Sequence, residues 1–159
     1  MKRFWSLALS VLMLTAALCM AVLPVHGEEK IYDTVVRLHV LANSDSEEDQ
    51  RIKLEVRDAL LSCGSRLFSG ETNLESVEEI VRSEKSQLLD VANNVLTENG
   101  FSYGADIYLT QENFTTRTYD DKYTLPSGEY LALKVVLGEG GGQNWWCVMF
   151  PPLCLPAAT

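Results

Sequence analysis

The sequence predicts an α+β fold: two helices packed on a mainly antiparallel sheet, preceded by an N-terminal signal or anchor helix. Three observations carry this. A charge-free apolar run opens the chain and ends at a proline. Behind it the apolar period passes from about 2 to about 3.6 and back to about 2, in the order β-α-α-β-β-β-β. Turn residues mark each change. The 159 residues are 47% hydrophobic and 22% charged, enough for one domain with a real core and too few to expect two.

Lys2 and Arg3 begin the chain, and Phe4 to Leu23 is a 20-residue stretch without charge, broken by Pro24. Val25-His26-Gly27 and then Glu28-Glu29 follow. A basic head, an apolar run and residues acceptable at −3 and −1 describe a secretory signal peptide cleaved after Gly27. The competing reading is an uncleaved anchor, because a run of this length spans a bilayer. Leu18 is too bulky to make Cys19 a lipoprotein site. Either way, residues 1–27 are an address and residues 28–159 a single exported domain, with the basic residues kept on the cytosolic side. Membrane contact is expected only through residues 4–23, if they are retained.

The charge pattern narrows the partners. The chain has 22 Asp+Glu and 13 Lys+Arg; without Lys2 and Arg3, 11 cations face 22 acids, or −11 over the 132 exported residues. Such a domain does not neutralise phosphates, so no nucleic acid is expected. Docking on anionic lipid is disfavoured for the same reason. The apolar content excludes low-complexity disorder.

The exported chain then divides into elements. Asp33 to Leu41 reads as a strand, with Val36, Leu38 and Val40 on an apolar face and Val35, Arg37, His39 and Leu41 on a mixed one. Ala42-Asn43-Ser44-Asp45-Ser46 is a turn and a helix N-cap at once. Ser44 with Glu47, or Ser46 with Asp49, has capping-box spacing, and Glu47, Glu48 and Asp49 suit the helix dipole. The first helix is predicted from Glu47 to Ser62, with Ile52, Val56, Ala59 and Leu60 inward, Arg51, Lys53, Glu55 and Arg57 mostly outward, and Gly64 as terminator. Thr72 with Glu75 caps a second helix over Asn73–Glu98, ended by Asn99-Gly100. Ala105–Thr110 and, more weakly, Phe114–Tyr119 read as strands; Asp120-Asp121 and Pro126-Ser127-Gly128 read as turns. Tyr130–Leu137 is the strongest strand. Gly138-Glu139-Gly140-Gly141-Gly142 reads as a flexible hairpin connection. Its match to a phosphate loop is poor, because a strand follows it. Asn144–Phe150 is a last aromatic strand, stopped by Pro151-Pro152.

Two segments stand out chemically. Arg37 and His39 share a strand face next to the Asn43-Ser44-Asp45 corner. A buried Arg needs a partner, and Asp45 or Asp49 is the natural one. In Asn144-Trp145-Trp146-Cys147-Val148-Met149-Phe150, adjacent tryptophans point to opposite sides of a strand. One then fills the core while the other reaches a surface, where aromatics anchor interfaces. The candidate partner-binding residues are therefore Arg37, His39, Asn43, Asp45, Asn144, Trp145, Trp146 and Phe150. An enzyme reading competes: a secreted thiol hydrolase with Cys147 as nucleophile, His39 as base and Asn43 or Asp45 as orienter. Against it, no helix N-terminus stands behind Cys147 to lower its pKa.

Cys63, Cys147 and Cys154 allow three single pairings. Cys147–Cys154 is favoured, since the two are close in sequence and flank a proline stop; closing that loop contributes about 2.5 kcal/mol in the chain-entropy model. Cys63 is expected to be a half-buried apolar filler. No His/Cys spacing resembles a zinc site, and neither metal nor cofactor is expected.

Arg37-Leu-His-Val-Leu-Ala-Asn-Ser-Asp-Ser46, running on to Val56-Arg57-Asp58, resembles the opening block of the stage II sporulation protein R family. Leu125-Pro-Ser-Gly-Glu-Tyr130 and Gly138-Glu-Gly-Gly-Gly-Gln-Asn-Trp-Trp-Cys-Val-Met-Phe-Pro-Pro-Leu-Cys154 resemble its closing block. The likeness covers Asp33 to Cys154. Phe114-Thr-Thr-Arg117 departs from the Phe-Pro-Thr-Lys expected there, and the family tail is expected to be lacking after Cys154. The resemblance implies a non-enzymatic signal of endospore-forming bacteria, exported from the forespore into the space between the two membranes. It implies a partner, a membrane-embedded aspartic protease of the mother cell, whose activation leads to processing of pro-sigma-E.

Overall fold

The computed structural model describes residues 5, 11–15, 32, 34–119 and 123–152. The signal or anchor segment falls mostly outside them, as do the Asp120-Asp121 turn and Cys154. Among the described residues no helix is long and apolar enough to cross a membrane.

The order is β1 (Val36–Leu41), α1 (Glu47–Leu67), α2 (Leu74–Ser83), α3 (Lys85–Glu98), β2 (Ala105–Phe114), β3 (Arg117–Tyr119), β4 (Tyr123–Leu125), β5 (Gly128–Leu137) and β6 (Asn144–Phe150). The main sheet runs β2-β5-β1-β6, and β3 and β4 form a separate small hairpin. β1 pairs with β5 in parallel and with β6 antiparallel; β2 and β5 are antiparallel. The fold is thus α+β with a mainly antiparallel sheet, as expected.

One face of the sheet carries the helices. Val36, Leu38 and Val40 meet Leu133, Val135 and Leu137 of β5, Ile52, Val56 and Leu60 of α1, and Leu88, Ala92 and Leu96 of α3 in one core. A smaller cluster occupies the other face: Val35, Phe114, Leu125, Tyr130, Ala132 and Val148, with Tyr32, Tyr119 and Trp146 packed against it. Because β1 lies between two strands and is covered on both faces, its alternation separates two buried environments.

Four local expectations change. The long second helix is two: Glu84 closes α2 through its N–H on the Ile80 carbonyl (2.8 Å) and opens α3 by accepting from Leu88 N (3.0 Å). The N-cap of α2 is Asn73, whose side chain accepts from Glu75 N at 3.0 Å, instead of Thr72. Gly64 does not end α1, which continues to Leu67. It lets β6 approach, since a Cβ there would lie 2.7 Å from Met149 Cε. Lys53 and Arg57 are buried, at 4% and 7% exposure. Their stems cover the sheet while their heads find partners at its margin: the Gln143 carbonyl for Lys53 Nζ (2.9 Å) and Asp58 for Arg57 Nε (2.7 Å).

The glycine-rich segment is no hairpin. β5 and β6 are separated by β1, so Gly138–Gly142 crosses over the C-terminal end of β1.

Candidate functional site

The residues singled out on the mixed face of β1 converge with groups from every strand of the main sheet. His39 of β1 stands opposite Lys134 of β5 and Trp146 of β6, and Lys134 stands opposite Tyr108 of β2. From β2, Glu112 reaches back over the sheet. Its carboxylate accepts from His39 Nδ1 at 2.9 and 3.1 Å, and Lys134 Nζ lies 3.4 Å from the same group. His39 Nε2 lies 3.0 Å from the Asn144 side-chain amide. With Nδ1–H given to Glu112, that amide serves either state of Nε2, donating through its NH2 or accepting through its oxygen. Trp146 stacks on the imidazole, ring centroids 3.5 Å apart and 15° from parallel.

Arg37 is fully buried beside this row. Its Nε donates to the Cys147 carbonyl (3.3 Å) and its Nη2 to the Tyr119 hydroxyl (2.7 Å). The guanidinium lies 4.1 Å from the centre of the Phe114 ring and 5.0 Å from that of Tyr130. Aromatic faces thus supply part of the electrostatic compensation that a buried cation requires. The ion pair expected with Asp45 or Asp49 does not form, because those carboxylates lie past the end of β1 and serve the turn. Phe114 links the groups, meeting Trp146 edge-on at 4.9 Å.

The turn is a lock. Asp49 Oδ2 accepts from Asn43 Nδ2 (3.0 Å) and Ser44 Oγ (2.5 Å), and Asp49 Oδ1 from the Tyr103 hydroxyl. Burial acts to raise the Asp49 pKa, but these hydrogen bonds outweigh it and hold the carboxyl below its ordinary value. Burial and the adjacent Asp49 carboxylate push Tyr103 up. Burial lowers Lys53, opposed by Asp45. The glycine segment closes on the same corner. Asn43 accepts from Glu139 N through its side chain (3.0 Å) and from Gly141 N through its carbonyl (3.1 Å). Ala42 O takes Gly142 N at 2.9 Å, and Asp45 Oδ1 takes Gln143 N at 2.8 Å. A segment expected to be flexible is therefore pinned at four places.

The candidate residues thus fall into three groups. Arg37, His39, Asn144 and Trp146 come together. Asn43 and Asp45 hold the loop that delivers Asn144. Trp145 and Phe150 lie apart: Trp145 is 37% exposed with Arg57 4.3 Å over its ring, and Phe150 is buried edge-on against Phe68. Sequence reasoning missed Glu112, Tyr119, Lys134 and Tyr103 as site residues, and it gave Asp49 to Arg37 where the structure gives it to the turn. No local signal marks Glu112, which lies in the polar run Thr110-Gln111-Glu112-Asn113 beyond the predicted strand.

The thiol-hydrolase arrangement is not assembled. Cys147 stands opposite Leu38 and joins the helix-side core, whereas His39 lies on the other face with both ring nitrogens engaged. No disulfide is present among the described residues; the second partner of the expected Cys147–Cys154 bond lies outside them. Cys63 is fully buried rather than half-buried. Among the described residues no group of three His, Cys, Asp or Glu could hold a metal ion. Clefts flank the sheet. One of about 600 Å³ lies between Ser65, Phe68, Thr72, Leu125 and Phe150, with Glu71 the one charged residue among the described ones that line it. Another, about 230 Å³, lies among Val81, Arg82, Lys85, Ile107 and Leu133. A third, about 200 Å³, is lined by Asn113, Phe114, Thr115, Arg117 and Trp146 and adjoins the His39 row through Trp146.

A family model described as Stage II sporulation protein R matches residues 32–159. The Stage II sporulation protein R of Bacillus subtilis (strain 168) is 36% identical over 124 residues, covering 78% of this chain and 55% of that protein. The chain therefore spans about half the length of the curated relative. No solved structure matches it.

Proposed function

Because the chain belongs to the stage II sporulation protein R family, we propose that it serves sporulation as an exported, non-enzymatic ligand. In this reading it leaves the forespore, enters the space between the two membranes and docks on a membrane-embedded aspartic protease of the mother cell. Docking activates the protease, which then processes pro-sigma-E. The observation that carries the reading is the Phe114–Trp146 surface. Its aromatic rings are held by Arg37 and His39 from behind and open to a cleft in front. Glu112 is bonded to both His39 and Lys134, an arrangement that supports a fixed binding face.

Co-purification of the exported chain with the candidate protease tests this. The unsubstituted chain is expected to retain the protease, and Trp146→Ala to release it. Processing of the sigma factor by a protease that never contacts this chain would remove the reading.

A further inference from the structure

The geometry points to the cleft beside Trp146 as a docking site for a partner-protein segment that carries an apolar side chain next to a carboxylate. The inference rests on the docking reading above and adds the chemistry of what is docked.

The walls are fixed before any ligand arrives. Phe114 and Trp146 meet edge-on, their planes 82° apart. Behind them lie two buried groups, the Arg37 guanidinium on Phe114 and the His39 imidazole on Trp146. A cleft of about 200 Å³ falls below the usual range for whole small-molecule ligands and suits a single side chain. Its apolar wall selects an aromatic or branched aliphatic group, which gains an edge or face contact there.

The rim supplies the second half. Arg117 lines the cleft and is exposed. Arg51, Arg57, Arg82 and Lys134 each have a carboxylate; Lys53, Arg66, Lys85 and Arg117 form no ion pair among the described residues, and of these four Arg117 is the one that lines this cleft. Its fork of donors matches a carboxylate in a bidentate arrangement. Asn113 and Thr115 line the same cleft. The chain's net charge of −9 repels free anions at long range. A carboxylate is therefore held only by short-range contact, when an apolar group anchors it in place.

The test titrates phenylacetate, and separately its uncharged amide, into the isotope-labelled full chain and follows the indole N–H of Trp146. The acid is expected to shift that resonance with weak, fragment-like affinity, and the amide to bind at least about threefold more weakly. Arg117→Gln is expected to bring the acid down to the level of the amide with an unchanged melting temperature. Arg117→Lys is expected to keep part of the preference. Equal binding of acid and amide, or no shift at Trp146, overturns the inference. So does a Trp146 shift that appears on concentrating the protein alone and is lost in Arg117→Gln, since the occupant would then be a second copy of this chain. The probe needs no protease, so its failure is distinct from failure of co-purification.

Discussion

His39 and Trp146 lie ring on ring, 3.5 Å apart, and the contact divides the work of the two adjacent tryptophans. Trp146 covers a buried imidazole and abuts Phe114, whereas Trp145 sits at the helix-side margin under Arg57. Trp146→Ala is expected to lose about 2–3 kcal/mol, less than a fully buried tryptophan would, because the ring is only partly buried. Trp145→Ala removes a margin contact worth about 1 kcal/mol or less. Urea unfolding of both variants decides; equal losses would mean that the His39 stack contributes nothing.

Arg37 is among the largest fully buried side chains of the described residues, and its guanidinium orders three aromatic rings and a hydroxyl around it. Arg37→Ala is expected to cost about 3–5 kcal/mol, since it opens a cavity and strips the Tyr119 hydroxyl and Cys147 carbonyl of a donor. Arg37→Lys keeps the charge but loses the planar fork and the stacking, and should recover less than half of that. An unchanged denaturation midpoint in Arg37→Ala would show the cluster to be ornamental.

Much of this arrangement is legible in the sequence. The alternation in β1 places Arg37 and His39 on one face, Ser46 caps α1 through Asp49 N (3.2 Å), and the apolar positions of β5 mark its buried side. What the sequence does not carry is strand order. Nothing local says that β5 inserts between β2 and β1, in parallel with β1. Glu112 and Lys134 therefore reach His39 across strands remote in the chain, and no spacing reveals it. Lys53 and Arg57 read as solvated because charge is the local signal, whereas their burial depends on how closely α1 lies to β6. The glycine segment misled for a related reason. Glycine serves equally for freedom and for close approach, and only the crossing of β1 decides which.

Close approach makes a sharp contrast between neighbouring glycines. A Cβ on Gly142 would lie 2.2 Å from the Ser44 carbonyl oxygen, whereas one on Gly141 meets the Asn43 oxygen at 3.4 Å, an ordinary contact. Gly142→Ala is expected to cost about 2–4 kcal/mol, because backbone must move. Gly141→Ala should stay within about 1 kcal/mol. Gly138 and Gly140 also resist replacement, with φ of +56° and +65°. Melting temperatures of the two alanine variants test the lock; two neutral substitutions would restore the picture of a free connection.

The same lock sets a pH window. The Asp49 carboxyl is held below its ordinary 3.8 by its hydrogen bonds. A depressed carboxyl contributes stability that is present above its unfolded pKa and disappears as pH falls through the lower folded value. Tyr103 is raised above its ordinary 10.0. Its contribution is present below that value and fades as pH climbs toward the higher folded one. The Asp49–Tyr103 contact therefore supports the fold between these two ordinary values and weakens on both sides. Urea midpoints measured from acid to alkaline pH should show a plateau with two shoulders. Tyr103→Phe is expected to remove the alkaline shoulder and shift the acid one upward, because Asp49 loses a donor. Asp49→Asn is expected to remove the acid shoulder and lower the plateau, since the amide offers one acceptor oxygen where the carboxylate offered two. An acid shoulder unchanged in Asp49→Asn would assign the acid lability to other carboxylates and take Asp49 out of the lock.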